Sequence, residues 1–209
     1  ERVRATLDAP RDKAPPLPEE HFGTVAFTDG QVIRPDAAGQ PPIVEDINGT
    51  ITWPKLNAAG SIVATAMWNG ETVSVDVQSS TPLLLLAGGE APLRASLKAK
   101  PIDVTFNGSA RLVGDPSLDG ALQMDAPSFD RLAVWAGSDV PGWEKLQSLS
   151  LAGEVAATRE RIKLDRATLT LDGSKGTGAI EIDARPTYVA VSGSLAFDTM
   201  SLDTILEAF

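Results

Sequence analysis

The chain has no cysteine and only one histidine among its 209 residues. Without thiols there are neither disulfide staples nor thiolate metal sites, although that absence fixes no compartment by itself. A Ser-His-Asp triad or a histidine-based zinc site would have to be built on His21. It follows Glu19-Glu20 in a proline-rich stretch and reads as a solvated loop residue. Long apolar runs are also missing. A bilayer-spanning helix needs roughly 20 consecutive apolar residues, and the longest candidate here runs from Leu83 to Ala87. No segment of this sequence is expected to cross a membrane. Positive charge is scarce: 18 Lys and Arg against 28 Asp and Glu leave a net charge of -10, which repels phosphate backbones and argues against nucleic acid as a partner. The sequence starts at Glu1 without an initiator Met or a signal-peptide pattern, and reads as an excerpt from something longer.

What is present is β-pattern. Residues 1–42 hold seven of the fifteen prolines, which cannot donate to a sheet ladder, and read as a Pro-rich leading segment. Inside it, Phe22–Phe27 and Gln31–Arg34 flank Thr28-Asp29-Gly30, a turn signal that predicts one irregular hairpin. From Ile43 onward, residues 43–209 read as one β domain in which apolar and polar residues alternate, the period-2 mark of strands with one buried face. The apolar set is Ile47, Ile51 and Trp53; Val73, Val75 and Val77; Leu93 and Leu97; Val104 and Phe106; Leu122 and Met124; Leu151 and Val155; Leu169 and Leu171; Ile180 and Ile182; then Val189, Val191 and Leu195. With a further run at Ile162 and Leu164, these make about ten runs.

Between Leu164 and Ala167 the apolar parity flips, so Asp165-Arg166 is expected to be a bulge or tight corner. Asn69-Gly70, Gly88-Gly89 and Asp172-Gly173 are expected hairpin turns, since Asn, Asp and Gly tolerate positive φ. Ser128 is placed to cap a short helix carrying Phe129, Leu132, Ala133 and Ala136, with Gly137 as its stop; Asp203 is placed to cap a second. The expected fold is mainly β: a long, mostly antiparallel meandering sheet, curled into a groove or sandwich, with one or two short helices. So little helix cannot cover that much sheet, leaving sandwich, barrel or trough.

Catalytic chemistry has little to work with. Carboxylates such as Asp76, Asp103, Asp119 and Asp183 alternate with apolar residues and are expected on the wet face, away from the cleft that an acid/base pair needs. Loop carboxylates such as Asp29 and Asp36 lack EF-hand spacing. Gly173 to Gly178 matches neither phosphate-loop pattern and reads as a hairpin turn. Asn48-Gly49-Thr50 and Asn107-Gly108-Ser109 match the glycosylation triplet but read more simply as turns or bulges. Trp53, Trp68, Trp135 and Trp143 suit packing better than a sugar platform. Arg94, Lys98, Lys100 and Arg111 share a region that could face lipid head groups, and read more plainly as edge-strand protection. No catalytic residue, metal site or cofactor is assigned, and the chain is read as a non-enzyme.

The words of the chain carry a resemblance. IVEDINGTITWPKLNAAGSIVATAM at Ile43–Met67, followed by Trp68-Asn69-Gly70-Glu71 and VSVDVQSSTPLLL, looks like the AsmA family of Gram-negative envelope proteins. So do GALQMDAPSFDRLAVWAG, the stretch from LSLAGEVAATRERIKLDRATLTLDG through the Gly-x-Gly strand to the closing Leu-Asp step, and TDGQVIRPDAAGQ. The likeness covers roughly residues 22 to 203 and has no catalytic signature. It implies a periplasmic segment of a protein held in the inner membrane by an N-terminal helix that this sequence lacks. It also implies a part in outer-membrane assembly or lipid homeostasis, with phospholipid or acyl chains, or other envelope proteins, as partners. The other reading is a structural or protein-interaction β module with a closed core and no lipid cargo.

Overall fold

The structure is a computed structural model that describes residues 19–33, 43–137, 147–185 and 188–198. Eleven strands form one sheet in which every strand is hydrogen-bonded to its sequence neighbours and all pairs are antiparallel. They are β1 (His21–Val32), β2 (Val44–Lys55), β3 (Gly60–Trp68), β4 (Glu71–Ser79), β5 (Ala91–Ala99) and β6 (Ile102–Arg111), then β7 (Ser117–Ala126), β8 (Leu149–Thr158), β9 (Arg161–Leu171), β10 (Ser174–Arg185) and β11 (Tyr188–Phe197). Two short helices interrupt the meander, α1 (Pro82–Leu86) between β4 and β5 and α2 (Phe129–Ala136) between β7 and β8. The first and last strands do not pair, so the sheet is unclosed. A second sheet, as a sandwich requires, is absent among the described residues.

The strand count differs from the sequence reading for identifiable reasons. The runs at Ile162–Leu164 and Leu169–Leu171 are one strand, β9, carried through a bulge. Arg166 sits at φ 49, and Arg166-Ala167 oppose Gly153 alone on β8. The extra residue turns both Leu164 and Ala167 to the same side, where they are buried. β3 adds a strand whose adjacent Ile62 and Val63 hide the alternation. β1 adds another: Thr28-Asp29-Gly30 is not a hairpin turn but an irregularity within one strand paired to β2. A positive φ at Asp29, 55°, is the conformation a turn would also need, so the same residues signal both. Asn48 ties this irregularity to a bulge at Asp46-Ile47, since its Oδ1 accepts the Asp29 N–H at 3.1 Å and its Nδ2 donates to the Asp46 carbonyl at 2.8 Å.

Asn69-Gly70 and Asp172-Gly173 form two-residue turns with positive φ throughout. Gly88-Gly89 does not. It follows α1, with Gly88 at φ 85 receiving the chain from the helix end. Pro82 starts that helix at a position where its missing N–H costs nothing. The Ser128 side chain accepts the Arg131 N–H at the start of α2, and Gly137 closes the helix at φ 67. Of the glycines at 173–178, only Gly173 is in the turn; Gly176 and Gly178 are strand residues of β10. Asn107-Gly108 is mid-strand in β6 with regular register. Gly108 is opposite Gly120 there, and a Cβ on Gly120 would come within 2.5 Å of the Asn107 carbonyl. The helix proposed at Asp203 lies outside the described residues, as do Asp36 and Trp143.

α2 bridges the strand ends from β7 to β3. Its first residue follows β7, where the Phe129 N–H donates to the Gln147 carbonyl at 3.0 Å. Its far end reaches β3, where the Trp135 Nε1–H donates to the Trp68 carbonyl at 2.8 Å. Four strand spacings separate β7 from β3, about 19 Å along a flat sheet, whereas an eight-residue helix is only about 12 Å long. The helix axis alone does not cover that distance, and the Trp135 side chain with its hydrogen bond completes the span.

Candidate apolar groove

Cross-strand pairing strings the apolar residues into rows along one face. One row runs from Val25 through Ile51, Ile62, Val77, Ala95, Phe106 and Leu122 to Gly153. A second joins Gly49, Ala64, Val75, Leu97, Val104, Met124, Leu151, Leu169, Gly176 and Phe197. A third passes through Leu93, Gly108, Gly120, Val155, Leu164 and Ile180. The flanks extend them. Trp53 pairs with Gly23 and Ile47 with Gly30 on β1; Val73 pairs with Ala66; Leu171 with Leu149; Ile182 with Val191; Leu195 with Gly178; and Val189 with Ala184. Bulges at Asp46-Ile47 and Arg166-Ala167 keep the rows in step where the sequence would otherwise turn them outward.

The two ends of this face differ. At one end α1 lays Leu84 and Leu85 over a cluster containing Leu93, Phe106, Val155 and Leu164, all buried. Protein fills the groove here. At the other end Phe129 and Leu132 of α2 stand over Met124, Leu149, Leu169, Leu171 and Ile180, with Val191 and Leu195 of β11 on the far wall. They line a cavity of about 690 Å³, within the range of roughly 300–1,000 Å³ common to small-ligand sites. Val191, 70% exposed, marks its open flank. A second hollow of about 720 Å³ has a mixed lining, with Pro54, Pro92 and Leu93 beside Thr52, Ser61, Gln78, Arg94 and Asn107.

The charged residues lie on the opposite face. Asp76, Asp103, Asp119 and Asp183 are in register with Ser96, Lys98, Ala156 and Arg161. Lys98 is 3.3 Å from Asp103, Arg161 3.1 Å from Glu181 and Lys163 2.8 Å from Asp165, and Arg166 pairs with Glu154; Lys100, 3.6 Å from Glu71, lies instead at the strand ends beside Trp135 of α2. Arg94 donates to the Asn107 side chain at 3.3 Å. Edge protection is therefore not what Arg94, Lys98 and Arg111 do, because β5 and β6 are paired on both sides. They keep the outer face wet. The nearest thing to a carboxylate dyad, Asp103 opposite Asp125, is on this face and not in a cleft, with Lys98 on one and the Ser150 hydroxyl, at 2.6 Å, on the other. His21 is exposed at the start of β1, and no group of three potential metal ligands occurs among the described residues.

Sequence reasoning missed α1 and the role of Trp68 and Trp135. Their rings are 4.5 Å apart and tilted by 59°, and the Asn69 side chain adds a bond to the Trp135 carbonyl at 2.6 Å. Trp53 packs likewise, on Phe22 at 5.2 Å. Among the described residues, no helix is long and apolar enough to cross a membrane.

Compared with known proteins, the chain matches no family model, and no curated protein or solved structure shows significant similarity to it.

Proposed function

We propose that this chain is a non-enzymatic segment of an AsmA-like envelope protein that shelters phospholipid acyl chains against its apolar face, in the service of outer-membrane assembly or lipid homeostasis. The single observation that supports it is the open cavity between α2 and β7–β11, walled almost wholly by Leu, Ile, Val, Met and Phe side chains. Each methylene transferred from water to such a wall is stabilised by about 0.8 kcal/mol. A wall of similar aliphatic groups holds an acyl chain without fixing its register, so the chain can slide. The family resemblance adds the periplasmic location.

The α1 end sharpens the reading. With Leu85 packed over Leu93 and Phe106, the face is a pocket open at one end and not a channel along its whole length. Passage of a lipid through the full groove requires α1 to lift.

The test is mass spectrometry of an organic extract of the purified chain, together with titration of a fluorescent fatty acid. Phospholipid in the extract and saturable fatty-acid binding are expected. Leu132→Lys, on the helix and outside the strand ladder, should weaken that binding by at least about tenfold, a single charged group on an apolar wall being worth more than ~1.4 kcal/mol. An extract free of lipid and no binding by the unaltered protein would sink the proposal.

A further inference from the structure

The two outer strands of the sheet are unlike. β1 is interrupted by register shifts against β2, with Gly23 at φ 101 and Asp29 at φ 55, irregularities that spoil a strand as a template for further pairing. Among the described residues β11 has no such defence. It pairs with β10 over ten successive residue pairs without a shift, and its sequence, YVAVSGSLAF, contains neither charge nor proline.

Its backbone direction is fixed by a neighbouring bond. The Asp198 N–H donates to the Lys175 carbonyl at 3.0 Å, so by strand alternation the even-numbered residues turn their backbone groups toward β10. The odd-numbered ones, Val191, Gly193 and Leu195 among them, present theirs to the open edge. The strand is also a palindrome in residue class about Gly193: Val-Ala-Val-Ser on one side and Ser-Leu-Ala-Phe on the other. An antiparallel pair related by a two-fold axis brings together residues equidistant from the axis, and here each would meet its like.

We propose that β11 pairs with the β11 of a second copy of this chain about a two-fold axis through Gly193, joining two sheets into one. Val191 then lies opposite Leu195 of the other copy and Ser192 opposite Ser194. The odd-numbered residues of both copies stay on one side, so the apolar faces run on across the join. The open flank of the cavity at Val191 is closed by the second copy. The pairing does not depend on a lipid occupying the face.

Because the chain has no cysteine, introduced ones report cleanly. Ser192 and Ser194 would form a non-hydrogen-bonded pair with a Cα separation of about 4.5 Å, inside the roughly 4.4–6.8 Å that a disulfide spans. Ser192→Cys and Ser194→Cys proteins mixed under mild oxidation should form a disulfide-linked dimer at least tenfold faster than either variant alone. No cross-link, or equal rates in all three samples, overturns the proposal. Val191→Pro removes an outward N–H while sparing the bonds to β10, and should lower the dimer fraction seen by sedimentation with the β-sheet circular dichroism unchanged. Val191→Lys carries the same expectation if the proline variant loses that spectrum. A dimer that survives the substitution in folded protein places the contact elsewhere and overturns the proposal as well.

Discussion

Trp135 and Trp68, sixty-seven residues apart, are joined by an indole N–H to carbonyl bond of 2.8 Å and by ring contact at 4.5 Å. Together with the Asn69 bond to the Trp135 carbonyl, this contact holds α2 across the strand ends, where Phe129 and Leu132 line the cavity. Trp135→Ala should cost about 3 kcal/mol in urea denaturation, as expected for a buried tryptophan. Trp135→Phe, which keeps a ring and loses the hydrogen bond, should cost about 1 kcal/mol more than a neutral change. Equal losses for the two variants would mean that the ring contributes nothing.

The bulge in β9 offers a sharper test of register. Deleting Arg166 removes the extra residue: Asp165 stays opposite Glu154, Ala167 comes to face Gly153, and Leu169 and Leu171 keep their inward side in a strand without the bulge. A cooperative thermal transition is expected to survive the deletion, and its loss would mean that the fold requires the bulge itself and not only the inward side of these residues. Arg166→Gly, which relieves the positive φ of 49°, should leave the fold intact and raise stability by about 1 kcal/mol, less whatever the Glu154 ion pair contributes.

Gly108 and Gly120 face each other across β6 and β7, where neither backbone leaves room for a Cβ. Gly120→Ala puts a methyl against the Asn107 carbonyl and at an unfavourable φ of 157°, so a loss of more than about 2 kcal/mol is expected. Gly114→Ala, at φ 84° with open space around it, should cost only about 1–2 kcal/mol. Chemical denaturation of the pair separates steric from conformational cost.

Lys163 donates to Asp165 at 2.8 Å, and that bond, followed by the attraction of the same carboxylate, raises its pKa above the ordinary lysine value. A raised folded-state pKa means that the pair stabilises the fold below lysine's ordinary value and that the contribution disappears as the pH climbs through the raised one. A heteronuclear NMR titration should find the Lys163 midpoint above those of free lysines, and Asp165→Asn should return it toward them. Both groups being exposed, the effect on the melting temperature should be slight.

Most of the strand geometry was legible because it is local. The parity flip at Leu164–Ala167 announces the bulge in β9, and Asn69-Gly70 and Asp172-Gly173 announce their turns with residues that accept positive φ. The Ser128 and Gly137 caps bracket α2. Failures have a common cause, which is that one local signal serves two structures. Asp29-Gly30 suits a turn or a bulge, and Pro82 followed by four leucines suits a strand or a helix. The charges at Arg94 and Lys98 suit an edge or the wet face of an interior strand. Whether the groove opens depends on where α1 and α2 land, and no short-range pattern encodes the meeting of Trp135 with Trp68.

Since every strand bonds only to its predecessor and successor in sequence, the molecule is assembled like a folded ribbon, each hairpin added to the last without threading or crossing. Removing or duplicating two adjacent strands would preserve both the direction of the next strand and the side on which its aliphatic residues fall. Such an architecture can be lengthened in units of one hairpin, so its reach is adjustable by gene duplication while each added unit needs only its nearest neighbours to fold.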